Sequence, residues 1–198
     1  MSAQLIYDYL TQHGVESLGF VFTLWGIWLS AKRRMLTWPI TQVANVLYLA
    51  VFYQARLYSD TLLQLAFIAF TFYGWMHWLR GARETGEVRV EPLAPLGLAL
   101  ALAAGALGSL GLGWCMTRVG AALPWLDAAL ASFSLVASWW QARKHIANWA
   151  LWIVIDLAYI GEYAYKGLLL TAVLYAILVA LCLLGLRDWR RAAQRPSL

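Results

Sequence analysis

Seven apolar stretches, separated by short polar connections, follow one another along nearly the whole chain. A helix needs about 20 mostly apolar residues to cross a hydrocarbon core of about 30 Å. Lipid offers the backbone no hydrogen-bond partners, so spanning segments form helices or closed barrels. The stretches are Glu16–Ala31, Leu36–Tyr53, Thr61–Trp78, Pro95–Trp114, Pro124–Gln141, Asn148–Tyr165 and Leu168–Leu186. We therefore predict an all-α integral membrane protein with seven transmembrane helices in a single domain, residues 1–198.

The composition agrees with a membrane protein and excludes other classes. The chain is 62% hydrophobic and 13% charged, whereas soluble domains average about 25% charged residues. A net charge of +5 could indicate a nucleic-acid partner, but the basic residues form short clusters between apolar stretches, so we predict no nucleic acid. The segment before the first span, SAQLIYDYLTQHG, is predicted to be a short amphipathic helix at the membrane surface.

The basic residues predict an orientation in the membrane. Twelve of the 15 follow spans one, three, five and seven, and therefore lie on one side. The three on the other side are Arg56, Arg118 and Lys166. Because Lys and Arg accumulate in cytoplasmic loops, we expect a cytoplasmic C-terminus and an N-terminus outside. The twelve are Lys32, Arg33, Arg34, Arg80, Arg83, Arg89, Arg143, Lys144, Arg187, Arg190, Arg191 and Arg195.

An internal repeat appears when the chain is shifted along itself so that Trp28 falls on Trp139. Under this displacement, which we call the repeat shift, tryptophans meet tryptophans and basic clusters meet basic clusters. The matched pairs include Trp28/Trp139, Lys32/Arg143, Trp38/Trp149, Tyr48/Tyr159, Gly74/Gly185, Trp78/Trp189 and Arg80/Arg191. We predict a parallel 3+1+3 repeat, with repeat one over about 16–81, a linking helix over about 95–114 and repeat two over about 124–192. Transporters built from such repeats bind substrate near the midplane.

Spans two and six each carry rings and a polar group on one helical face. The two sets are Trp38, Gln42 and Asn45 in span two, and Trp149, Trp152 and Asp156 in span six. A carboxyl at the bilayer centre costs at least about 2.5 kcal/mol, so Asp156 is expected to face the interior. It is interpreted either as a ligand group for cargo or as a packing contact with a Tyr or Asn. The amides of Asn45 and Gln42 can bind cargo or join helices.

Other polar and aromatic residues receive weaker assignments. Gln64 and Tyr175 occupy equivalent positions and can bond either to cargo or within the bundle. Tyr48 and Tyr159 are expected to be structural, and Glu162 to be solvated. The aromatic belt is expected to hold Trp75, Trp78, Trp114, Trp125, Trp139, Trp140 and Trp189. The sequence shows no nucleophile with its base, phosphate loop or metal-binding motif, so we predict no cofactor and no enzyme.

Several motifs resemble those of the PnuC family of bacterial vitamin transporters, over about Trp25 to Trp189. They are the WxxWxxxD of Trp149, Trp152 and Asp156 with the basic pair before it, TAVLYAILVALCLLGLRDW, TWP followed by Asn45, YSDTLLQL and GWMHW. The resemblance implies a SWEET-like fold in a bacterial inner membrane, and import of nicotinamide riboside by facilitated diffusion. It also implies trapping by a cytosolic kinase and assembly as a homotrimer.

The cargo remains open between vitamins at this stage. The family motif ends in Asn or sometimes Asp, and this chain has Asp156. Nicotinamide riboside has a flat cationic ring that Trp149 and Trp152 can stack on. Thiamine also has a cationic ring and would suit the same slot, whereas riboflavin is larger and neutral. Alternatives of other classes are a membrane scaffold, an intramembrane enzyme and a proton-coupled pump.

Overall fold

The computed structural model describes the backbone of residues 3–54, 58–85, 90–118, 123–165 and 169–194, and side chains over 14–15, 17–54, 61–83, 90–118, 123–165 and 172–194. Within these ranges the chain forms seven α-helices, which confirms the predicted all-α class. The helices are α1 (Ala3–Ala31), α2 (Thr37–Gln54), α3 (Tyr58–Thr85), α4 (Pro95–Arg118), α5 (Pro124–Ala142), α6 (Ala147–Tyr165) and α7 (Leu169–Ala193). Of the basic residues used to orient the chain, Arg56, Arg89, Lys166 and Arg195 lie outside the described residues.

The helices have the lengths and apolar character of membrane spans. Among the described residues, Thr61–Arg83, Pro95–Arg118 and Ala172–Ala193 are long and apolar enough to cross a membrane on their own, and Ser17–Ala31 is a shorter apolar segment. Helices α2, α5 and α6 contain 18, 19 and 19 residues, which is about 27–29 Å at about 1.5 Å per residue. Their polar residues lower the mean hydropathy, and several of these face the bundle interior.

The first helix is longer than predicted. It begins at Ala3 and continues without a break to Ala31, so the helix predicted before Glu16 is not a short element of its own, and its place at the membrane surface stays a prediction. The physical reason is that no proline interrupts this segment, since the first proline of the chain is Pro39. Gly14, the glycine next to the predicted boundary, weakens a helix by only about 1 kcal/mol.

Six helices form a closed ring and the seventh lies outside it. Each packs on the next in the order α1, α2, α3, α5, α6, α7, and α7 packs again on α1. Helix α4 packs along α5. Glycines on α4 allow this close approach. A Cβ at Gly105 would lie 2.7 Å from the Phe133 ring, and a Cβ at Gly113 would overlap the Trp125 ring. Small residues are the usual means of close helix contact in membranes.

The turns between α1 and α2 and between α5 and α6 have the same hydrogen-bond pattern. Arg33 and Lys144 both adopt the left-handed backbone conformation, at φ 54° and 61°. Arg33 N donates to Ser30 O at 2.9 Å, and Lys144 N to Gln141 O at 3.1 Å. Four further matched backbone bonds flank each of these. The two turns are therefore equivalent in structure, at positions that the repeat shift superimposes.

These two turns, with the last turns of α3 and α7, make up what we call the basic end of the bundle. Each turn is tied to the other half of the ring by an ion pair. Lys32 Nζ lies 2.7 Å from Asp188 Oδ2 on α7. Lys144 Nζ lies 3.0 Å from Glu91 Oε1, in the connection between α3 and α4. The connection is also fixed by its backbone, since Glu91 N donates to Lys144 O at 3.0 Å.

Four tryptophans fill the centre of the basic end. Trp38 packs edge-on against Trp78 at 5.0 Å, and Trp149 packs edge-on against Trp189 at 5.5 Å. Trp78 and Trp189 meet across the ring at 5.8 Å, and both are 0% exposed. The assignment of Trp78, Trp189 and the buried Trp140 to an aromatic belt is therefore wrong. A tryptophan near a span end can lie in the aromatic belt or be buried, and only the packing of the opposing helix decides between the two.

Candidate functional site

A cavity of about 260 Å³ lies inside the ring, between the basic end and the middle of the helices. Side chains of α1, α2, α3, α5, α6 and α7 line it. Its size is close to the lower limit of small-molecule sites, about 300 Å³. Seven of the eight sequence-predicted site residues line this cavity: Trp38, Asn45, Gln64, Trp149, Trp152, Asp156 and Tyr175. The exception is Gln42, which is not among the lining residues.

The lining residues occur mostly as pairs that the repeat shift superimposes. Eighteen of the 21 form nine such pairs, so the two halves of the ring present corresponding positions to one space. The pairs are Thr23/Ser134, Ile27/Ser138, Trp38/Trp149, Thr41/Trp152, Asn45/Asp156, Tyr48/Tyr159, Gln64/Tyr175, Phe67/Leu178 and Thr71/Cys182. This pairing is what the predicted repeat would produce.

Asn45 and Asp156 occupy the middle of α2 and α6 and have equivalent neighbours. Asn45 Nδ2 donates to Thr71 Oγ1 on α3 at 3.0 Å. Asp156 Oδ2 accepts from Cys182 Sγ on α7 at 3.7 Å. Thr71 and Cys182 are themselves equivalent under the repeat shift, so one contact is repeated with different chemistry. The predicted Tyr or Asn partner of Asp156 is replaced by a thiol, which is a weak donor.

Tryptophans form the cavity wall nearest the basic end. Trp38 and Trp149 lie in the first turns of α2 and α6 and are 4% and 1% exposed. Their Nε1 atoms are buried and have no hydrogen-bond partner among the described residues. The same is true of Gln64 Oε1. Buried polar atoms normally have partners, and these three belong to side chains that line the cavity.

Glycines in α3 and α7 make room for these two rings. A Cβ at Gly74 would overlap the Trp38 ring, and a Cβ at Gly185 would lie 2.7 Å from three atoms of the Trp149 ring. The rings therefore occupy the surface of the opposing helix where a side chain would otherwise stand. Because Gly74 and Gly185 are equivalent positions, the same packing arrangement holds both rings in place.

Tyrosines lie at the end of the cavity away from the basic end. Tyr159 lies 4.7 Å from Tyr175, and Tyr163 lies 5.3 Å from Tyr175, between ring centroids. In the other half, Tyr48 stacks on Phe52 at 5.7 Å. Tyr48 and Tyr159 were expected to be structural, yet both line the cavity. Glu162, expected to be solvated, is 7% exposed and therefore buried.

Sequence reasoning missed the small hydroxyl residues of the cavity. They include Thr23, Thr41, Thr71, Ser134 and Ser138. In an apolar helix such residues often bond to their own backbone, as Thr23 Oγ1 does to Gly19 O at 2.8 Å, and so they carry little signal. The repeat shift could have found Thr23/Ser134, because both positions hold a hydroxyl.

Electrostatics separate the cavity from the basic end. Lining side chains within the described residues include one carboxylate, Asp156, and no Lys or Arg. Most of the described cations lie at the basic end, where Glu91 pairs with Lys144. Burial raises the pKa of the Glu91 carboxyl, but the hydrogen bond and charge of Lys144 outweigh it and hold that pKa below its ordinary value of 4.5.

Comparison with known proteins identifies the family. The model of the nicotinamide mononucleotide transporter family matches residues 13–191. The chain is 27% identical to the nicotinamide riboside transporter PnuC of Escherichia coli, covering 91% of this chain and 86% of that protein. It is also 27% identical to the riboflavin/roseoflavin transporter RibM of Streptomyces davaonensis, covering 92% and 87%.

A solved structure shares the fold. The crystal structure of the vitamin B3 transporter PnuC superposes with a TM-score of 0.76, over 98% of this chain and 88% of that one, at 23% identity. At this identity the likeness establishes the fold, and the family rests on the match over residues 13–191. This chain therefore belongs to the nicotinamide mononucleotide transporter family, which confirms the resemblance to PnuC visible in its sequence.

Proposed function

We propose that this chain imports nicotinamide riboside across the bacterial inner membrane, and that the central cavity binds it. The observation that carries the proposal is the wall of this cavity. It combines tryptophan rings, a carboxylate, side-chain amides and hydroxyls, contributed by both halves of the ring. The E. coli relative named as a nicotinamide riboside transporter supports this cargo.

The cavity chemistry fits a cationic nucleoside. The pyridinium ring is flat and positively charged, and a Trp face attracts such rings by about 2 kcal/mol when desolvated. Trp152 and Asp156 lie one turn apart on α6 and present a face and a carboxylate to the same space. The hydroxyls and amides of the other half, including Thr41, Asn45 and Gln64, are suited to ribose hydroxyls and the carboxamide.

The riboside fits this wall better than the mononucleotide of the family's name. A phosphate group is bound most strongly by cations. The described lining residues supply no Lys or Arg, and Asp156 would repel the phosphate. Most of the described cationic residues lie at the basic end, behind the four tryptophans. We therefore propose the unphosphorylated nucleoside as the cargo.

Thiamine remains the second candidate. It also has a cationic aromatic ring and an amine donor, and the Trp152 and Asp156 pair would suit both. Riboflavin is suggested by the relative RibM, but it is neutral and larger, and the cavity is only about 260 Å³. A neutral ring would leave the Asp156 carboxylate buried without a charge partner, which is costly.

We propose that transport is facilitated diffusion through rocking of the two halves about the cavity. The halves correspond to the predicted parallel 3+1+3 repeat, and the matched turns and lining pairs support it. Opening toward the basic end would separate the four tryptophans and the Lys32–Asp188 and Lys144–Glu91 pairs. By the positive-inside bias the basic end faces the cytoplasm, with the N-terminus outside. A cytosolic kinase would trap the cargo, and the assembly would be a homotrimer.

Calorimetry on the purified protein in detergent tests the cargo. We expect nicotinamide riboside to bind, and Asp156→Ala and Trp152→Ala to abolish or strongly weaken binding. Gly161→Ala is the matched control, because a Cβ at Gly161 meets no atom within 4 Å. Binding of thiamine alone would mean that thiamine is the cargo, and the assignment of the binding site would stand. Normal binding by both variants would mean that the cavity has been misassigned.

A further inference from the structure

Asp156 lacks a cationic partner within the part of the chain that the structure describes. It is 4% exposed, and its hydrogen bond comes from the Cys182 thiol at 3.7 Å. The ion pairs Lys32–Asp188 and Lys144–Glu91 lie at the basic end and use other acids. A buried carboxylate is stabilised mainly by a cation or by several strong donors. The described residues supply neither at this position.

The equivalent position in the other half shows what the scaffold itself requires. Asn45 occupies the corresponding place on α2, and its amide is bonded to the Thr71 hydroxyl at 3.0 Å. A neutral amide therefore fulfils the packing role of this position, with a partner of ordinary strength. The carboxyl group of Asp156 is thus additional to what the helix contact needs, and it lines the cavity.

The surroundings of Asp156 are those that bind organic cations. Trp152 lies one turn before it on the same face of α6, and Trp149, Tyr159 and Tyr175 line the same half of the cavity. Aromatic faces grouped around a carboxylate attract a delocalised or alkylated cation. The other half has Thr41 in place of Trp152 and Gln64 in place of Tyr175, while its further aromatic lining residues are Phe67 and Phe70.

We propose that Asp156 is a charge filter: it selects cationic cargo and rejects neutral or anionic molecules of the same shape. The inference rests on the proposed function for the location of the binding site, and it adds the charge class of the cargo. Nicotinamide riboside and thiamine pass this filter, while reduced nicotinamide riboside and riboflavin do not. The positive charge of the cargo replaces the missing partner of the carboxylate.

The test uses two probes that differ by one charge and hardly in shape: nicotinamide riboside and its neutral dihydro form. Binding of each is measured by calorimetry on wild type and on Asp156→Asn, which keeps the size of the side chain. We expect wild type to prefer the cation at least tenfold, and the variant to lose most of this preference. The variant's thermal unfolding midpoint should stay close to that of wild type, which reports that it is folded.

The outcomes separate the filter from the proposed cargo. If Asp156→Asn weakens both probes equally, or if wild type binds them equally, the charge filter is wrong. If wild type binds thiamine but not nicotinamide riboside, and Asp156→Asn loses thiamine, the cargo is wrong and the filter stands. If Asp156→Asn binds neither probe, Asn45→Asp on the wild-type chain decides: a second carboxylate should raise the preference for the cation, and an unchanged preference overturns the proposal.

Discussion

The two halves of the cavity have the same scaffold and different chemistry. In the first half, an amide bonded to a hydroxyl occupies the middle of the membrane: Asn45 with Thr71. In the second half, a carboxylate bonded to a thiol occupies it: Asp156 with Cys182. The tryptophans, glycines and turns around them match. The difference teaches that packing sets the common scaffold, whereas the proposed recognition depends on the lining positions at which the halves differ.

The largest expected effect compares the two central polar residues. Asp156→Ala should weaken nicotinamide riboside binding about 100-fold, because hydrogen bonds to charged groups contribute about 1.5–3 kcal/mol. Asn45→Ala should weaken it about fivefold, since a neutral hydrogen bond contributes about 1 kcal/mol. Calorimetry of both variants in parallel measures the contrast. Equal losses would show that the halves contribute alike and would remove the functional asymmetry.

The next prediction concerns the scaffold, where the halves should behave alike. Gly74→Ala and Gly185→Ala each place a methyl group in a buried tryptophan ring, and overpacking of this kind costs about 1–3 kcal/mol. Both should lower the thermal unfolding midpoint in detergent. Gly161→Ala should leave it unchanged or raise it, because its Cβ meets open space. A large loss in one half alone would mean that only one tryptophan is held rigidly.

The smallest effect is expected at the basic end. The pKa of Glu91 is lowered in the folded protein, so the contribution of the Lys144 pair to stability is present at neutral pH and lost as pH falls below about 4.5. Glu91→Gln should therefore lower the unfolding midpoint slightly at pH 7, because a partly exposed ion pair contributes at most about 1 kcal/mol. Thermal unfolding from pH 7 to pH 3.5 measures this. A difference that does not shrink as the pH falls would show that the effect does not come from the charge of Glu91.

Much of the candidate site could be predicted from sequence because it lies on helical faces. With 3.6 residues per turn, Trp149, Trp152 and Asp156 lie on one face of a helix. A carboxylate in a membrane span is expected to face the protein interior, because exposing it to lipid is costly. The repeat shift then brought Asn45, Gln64 and Tyr175 into the same prediction. These arguments use only local helix geometry and the cost of burying a charge, and both can be read from the order of residues in the chain.

Other features depend on which helices meet, and local patterns do not contain that information. Trp78 and Trp189 lie near span ends like belt residues, yet an opposing helix buries them. Glu162 lies near a span end like a solvated acid, yet it is buried. Gln42 shares a face with Asn45, but it is not among the residues that line the cavity.

The sequence by itself determined seven helices, the correspondence between the two repeats and a polar face at the middle of two spans, because each follows from hydropathy, residue order and helical period. The tertiary structure alone decided that six helices close into a ring with α4 outside, that Cys182 rather than Tyr or Asn contacts Asp156, and that four tryptophans fill the basic end. Contacts between distant segments depend on how packed helices are rotated relative to each other. A rotation by one residue position brings different side chains into contact.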